Sequence, residues 1–119
     1  MLIKSIEDIA GFVAGDLTTI KEVLHPKNDR IELPYSLAHA TVEVGKASIP
    51  HILHGSEVYI ITEGKGKMWI DDSAQEVTVG EVVYIPPRAN QYIENIGTTD
   101  LKFLCIVAPA WSPEEEEIL

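Results

Sequence analysis

The strongest constraint on this chain is a two-residue alternation of apolar and polar side chains, cut at short intervals by turn residues. Successive side chains of a β-strand point to opposite faces, so a strand with one buried face must alternate. Ser36 to Val44 alternates and stops at Gly45, and the β-branched, aromatic run Val58-Tyr59-Ile60-Ile61-Thr62 is broken by Glu63-Gly64-Lys65-Gly66. Lys67-Met68-Trp69-Ile70 runs into the turn signal Asp71-Asp72-Ser73. Glu76-Val77-Thr78-Val79 alternates up to Gly80, and Val82-Val83-Tyr84-Ile85 stops at Pro86-Pro87, which cannot donate to a ladder. Gln91 to Glu94 and Leu101 to Val107 read as two more strands, closed by Asn95-Ile96-Gly97 and by Pro109. Leu17 to Leu24 is a further strand, ended by His25-Pro26. Ser5-Ile6-Glu7-Asp8 has the form of a helix start, and the nearby Gly11 limits it to about one or two turns.

Short strands with turns every 8 to 12 residues or so, and hardly any helix, predict an antiparallel sandwich or barrel. A chain of 119 residues, 45% hydrophobic, holds one domain and can bury a core without a disulfide. The expected division is an N-terminal arm with an edge strand over 1–30, a barrel over 31–111 and an acidic tail over 112–119. Nineteen acidic residues against nine basic ones, scattered along the chain, argue against a nucleic-acid partner, since phosphate binding needs clustered Lys and Arg. Glu114-Glu115-Glu116-Glu117 reads as a solvated run. No stretch approaches the roughly 20 apolar residues of a membrane-spanning helix, so no membrane partner is expected. The acidic N-terminal residues do not read as an export signal, and one cysteine, Cys105, suits a cytoplasmic location.

Two spaced motifs narrow the choice of architecture. Gly45, His51, Glu57 and Gly64 stand at intervals that resemble the first signature of the cupin superfamily. In that signature Gly and His-x-His precede a Glu and a second Gly. Gly80, Pro86 and Asn95 resemble the second signature. The resemblance spans about Ile31 to Trp111 and implies a double-stranded β-helix, or jelly-roll, with a short N-terminal helical turn; it also implies a homodimer. It implies a metal site within the barrel, because two positions separated by one residue on a strand share a face and a carboxylate from a neighbouring strand can return to it.

The sequence departs from the family pattern at two ligand positions. Leu53 stands where the second histidine would be and Gln91 where the second signature has its histidine, while Arg88 replaces a glycine. The metal ligands implied are therefore His51, Glu57 and Gln91. His54 joins them if the Gly55 turn aims it inward, and faces solvent if it keeps the parity opposite to His51. Such a mixed set suits Mn, Fe, Ni or Zn. Tyr59, Trp69, Tyr84 and Cys105 are candidates for a ligand pocket, and core packing is the alternative role for each. His51 bonded to Glu57 or Gln91 without any metal is the alternative to a metal centre. Two functions follow from the resemblance. One is a metal-dependent enzyme of the dioxygenase, isomerase or decarboxylase type, acting on a sugar derivative, keto acid or dicarboxylate. The other is a metal-free module that binds or senses a small molecule with a degraded metal site.

Overall fold

A computed structural model describes all residues, Met1–Leu119. Eleven strands make up almost all of its regular structure: β1 (Phe12–Val13), β2 (Thr19–Leu24), β3 (Ser36–Val42), β4 (His51–Leu53), β5 (Ser56–Glu63), β6 (Lys65–Ile70), β7 (Ser73–Thr78), β8 (Val82–Ile85), β9 (Asn90–Asn95), β10 (Leu101–Ala108) and β11 (Glu116–Ile118). They form two antiparallel sheets, ordered β1-β2-β3-β10-β5-β8 and β11-β4-β9-β6-β7. This is the all-β, two-sheet architecture that the alternation predicts, in the jelly-roll form that the resemblance implies. The only α-helix, Pro26–Asp29, is a single turn capped by His25, and the N-terminal turn is a 3-10 turn at Ile6–Asp8.

Most strand boundaries agree with the alternation, and the differences have local causes. The break expected over Glu63 to Gly66 is confined to Gly64, which turns the chain with φ +84°. A Cβ there would meet the Asp100 carbonyl at 2.5 Å, so no other residue fits without movement. Lys65 and Gly66 already belong to β6. The C-terminal glutamates do not form a solvated tail: Glu116–Ile118 pairs with β4, with Glu116 opposite Leu53 and Ile118 opposite His51. A strand can carry glutamates when its neighbour offers an unpaired edge. Arg88, at the signature glycine position, adopts a left-handed φ of 65°, and its N–H donates to the Leu53 carbonyl.

The two sheets enclose an interior that changes character from one end to the other. The inward row of β10 runs Leu101, Phe103, Cys105, Val107, and its partners on β3 are Val42, Ala40, Ala38 and Ser36. On β5 the inward row runs Ile61, Tyr59, Glu57. One end is therefore filled by large apolar groups, with Phe103, Ile61, Ile93 and Leu101 fully buried and the Tyr59 and Phe103 rings 4.3 Å apart. Toward the other end the side chains become small or polar, and packing gives way to a cavity. Asn95 belongs to the filled end: its Nδ2 donates to the carbonyls of Val42 and Thr99 and its Oδ1 accepts from Gly97 N–H. Its place in the signature is thus explained by turn closure.

Candidate metal centre

The cavity at the polar end has a volume of about 220 Å³. Its walls come from β1, β2, β3, β4, β5 and β10, and the loop after β1 together with Trp111 and Glu116 completes them. His51 enters from β4, buried, with Nδ1 2.7 Å from the Ile49 carbonyl. A carbonyl only accepts, so Nδ1 carries the hydrogen and the Nε2 lone pair is left pointing into the cavity. That second hydrogen bond is the one that fixes the tautomer of a metal-binding imidazole.

Asp16 approaches Nε2 from a tight turn, with Oδ2 3.7 Å away. Its other oxygen accepts from Thr18 N–H (3.1 Å) and Thr18 Oγ1–H (2.6 Å), and Ile49 N–H donates to the Asp16 carbonyl. An Asp that binds the backbone two residues on is a usual turn element, and here it aims the free oxygen inward. Glu116 arrives from β11, its Oε2 accepting from Trp111 Nε1–H at 3.1 Å. Trp111 is itself held at both backbone groups: its N–H donates to Ser36 Oγ, and its carbonyl accepts from His25 Nε2–H. One ligand atom each from Asp16, His51 and Glu116 lies within 4.8 Å of the others.

Of the residues expected from the sequence, His51 and Glu57 line this cavity together with Cys105. Glu57 is 6% exposed and its Oε1 has no hydrogen-bond partner. Burial pushes its carboxyl up to about 8, Asp16 and Glu116 add to the rise, and the Gln91 amide opposes part of it. Gln91 sits beside His51 in the β4–β9 register, but its Oε1 accepts from Tyr59 OH at 3.1 Å and its Nε2 is unpartnered. Its oxygen is thus engaged with the core. Tyr59 is buried with Phe103, and burial raises its phenol well above the ordinary range, as it does the Cys105 thiol.

Three expected residues lie elsewhere, each for a reason of parity. His54 follows Leu53 on the opposite face, 3.0 Å from Glu117 and 3.5 Å from Glu115. Trp69 is on the outer face of β6 because Met68 takes the inner one; it stacks on Tyr92 at 5.4 Å and donates Nε1–H to Glu94. Tyr84 is 61% exposed, since Val83 and Ile85 are the β8 residues registered against the inward Tyr59 and Glu57. Asp16 and Glu116 went unread in the sequence. Gly15-Asp16-Leu17-Thr18 is a weak turn signal, and the glutamate run hides the inward position of its third member.

Comparison with known proteins agrees with this architecture. The family model described as Cupin domain matches residues 38–107. An uncharacterized protein of Methanocaldococcus jannaschii is 42% identical over 114 residues, covering 95% of this chain and 90% of the relative. Among solved structures, a predicted oxalate decarboxylase of Thermotoga maritima superposes with a TM-score of 0.80 at 19% identity, covering 91% of this chain and 99% of that one. The polyketide cyclase RemF of Streptomyces resistomycificus gives 0.80 at 17% identity, over 91% and 79%. At such identities the two structures speak for the fold alone. Two of the three converging ligand atoms, those of Asp16 and Glu116, come from segments outside the matched region. The chain belongs to the cupin family.

Proposed function

We propose that this cupin binds a divalent transition-metal ion through His51, Asp16 and Glu116, and a small polar ligand in the cavity beside it. The observation that carries the reading is the convergence of one imidazole nitrogen and two carboxylate oxygens on a buried point, with the imidazole tautomer already fixed by Ile49. The residues fit such an ion in a second respect. Glu57 lines the same cavity and keeps a buried oxygen without a full hydrogen bond, and a nearby cation supplies the opposite charge that a buried carboxylate lacks. Mixed nitrogen and oxygen donors suit Mn, Fe or Zn.

The geometry also accounts for the departures from the family signatures. Leu53 offers no ligand, and Glu116 stands directly across the β4–β11 ladder from it. Gln91 is engaged with Tyr59, and Asp16 comes from the N-terminal loop to the free face of His51. When bound, the ion supplies a Lewis acid that polarises an oxygen of the ligand. Around it Thr18 and Trp111 hold the two carboxylates in place, and β11 closes the cavity wall. A metal-dependent enzyme is the reading this favours. The metal-free binding module remains the second reading, favoured by Leu53 and Gln91 at two signature positions.

The deciding measurement is metal content after purification without chelator, followed by calorimetric titration with Mn²⁺. One ion per chain is expected, with a dissociation constant in the micromolar range or below. Asp16→Asn and Glu116→Gln should each weaken it about tenfold or more, and His54→Ala should leave it unchanged. Absence of uptake at micromolar Mn²⁺, or a loss with His54→Ala equal to that with Asp16→Asn, would refute the proposal.

A further inference from the structure

The cavity walls are one-sided in both charge and hydrogen bonding. Asp16, Glu22, Glu57 and Glu116 line it, and no Lys or Arg does. Four carboxyl groups outnumber the two charges of a divalent ion, and three still do if Glu57 is protonated. The whole chain, with a net charge of −10, adds a potential of the same sign.

Donors are scarce for a separate reason. Thr18 N–H and Oγ1–H are both committed to Asp16, Trp111 Nε1–H to Glu116, and His51 Nδ1–H to the Ile49 carbonyl. Asp16 Oδ2 has no hydrogen-bond donor, and Glu57, 6% exposed, keeps Oε1 buried with the Gln91 amide as its polar neighbour but makes no full hydrogen bond there. Glu22 marks the side opposite the β4 wall, on β2, with Asn28 donating to one of its oxygens. A carboxylate ligand would meet repulsion there, with Ser36 Oγ–H, Cys105 Sγ–H and the proton of a neutral Glu57 as the uncommitted side-chain donors. A protonated amine brings three donors and a positive charge.

We infer that the cavity takes a small organic cation bearing a primary ammonium group, held by Glu22 and Glu57, and rejects dicarboxylates. This inference rests on the proposed reading only in taking the cavity as the ligand site; the metal need not be present for the charge argument to hold. It separates this chain from what the name of the Thermotoga relative says of that protein, since oxalate carries two negative charges and no donors.

Three probes with the same three-carbon skeleton test it: 1,3-diaminopropane, 1,3-propanediol and malonate. Each is titrated calorimetrically into the full chain, once with bound Mn²⁺ and once after chelator treatment. The diamine should bind at least about tenfold more tightly than the diol, and malonate should bind more weakly than either. Glu22→Gln should weaken the diamine about tenfold. Malonate binding as tightly as the diamine, absence of diamine binding at millimolar concentration, or an undiminished diamine affinity in Glu22→Gln overturns the inference. The two readings fail separately. Mn²⁺ uptake with a preference for malonate removes the ammonium inference alone, and diamine preference without Mn²⁺ uptake removes the metal reading alone.

Discussion

Replacing Glu57 with glutamine isolates one term in the stability of this protein, because the amide copies the shape of the neutral carboxyl and cannot ionise. In the folded chain the carboxyl is pushed from the ordinary 4.5 up to about 8, chiefly by burial. The sign follows from proton binding. Between pH 4.5 and about 8 the folded state holds a proton that the unfolded state has released. Stability that is fully present below 4.5 is then lost as pH rises, by ~1.4 kcal/mol per pH unit. Between roughly pH 5 and pH 7 the wild type should thus lose about 3 kcal/mol relative to Glu57→Gln. Above the folded value the difference levels off. Urea unfolding of both proteins in chelator, at half-unit steps from about pH 5 to pH 9, measures it directly. A cation bound at Asp16, His51 and Glu116 favours the ionised form, so added Mn²⁺ should flatten the wild-type curve. Parallel stability curves for the two proteins across this range would show that Glu57 ionises freely in the folded state, and the account of its buried, unpartnered oxygen would fall.

Two further outcomes follow from other parts of the structure. Trp111→Phe keeps an aromatic side chain but removes the indole N–H donated to Glu116; Mn²⁺ affinity should fall about tenfold while urea stability of the metal-free chain changes far less than in Phe103→Ala, and calorimetry beside denaturation reads both. Phe103 is fully buried at the filled end against Tyr59, so Phe103→Ala should cost about 3–5 kcal/mol in urea unfolding; a loss under about 1 kcal/mol would place the core elsewhere.

How much was legible beforehand differs from residue to residue. The strands of Ser36–Val42 and Leu101–Ala108 were readable because each buries one face, which imprints alternation on the sequence itself. His51 and Glu57 were readable because they stand at the positions of the first cupin signature, where the resemblance implies that both face the barrel. Trp69 and Tyr84 could not be placed, since an apolar or aromatic residue at either parity satisfies the pattern, and only the opposing sheet decides which row is buried. His54 shows the same limit at a turn.

The alternation thus determined an all-β sandwich or barrel, and the resemblance to the two signatures chose the barrel and pointed His51 and Glu57 into it. Short-range stereochemistry governs those features, so the local sequence carries them. Only the tertiary structure decided the composition of the candidate metal centre. Asp16 and Glu116 are 100 positions apart in sequence, and neither has a spacing relation to His51. They meet because β11 pairs with the edge of β4 while the loop before β2 folds over the same end of the barrel. Convergence of that kind is a property of how the chain closes on itself, and no periodicity within a segment records it.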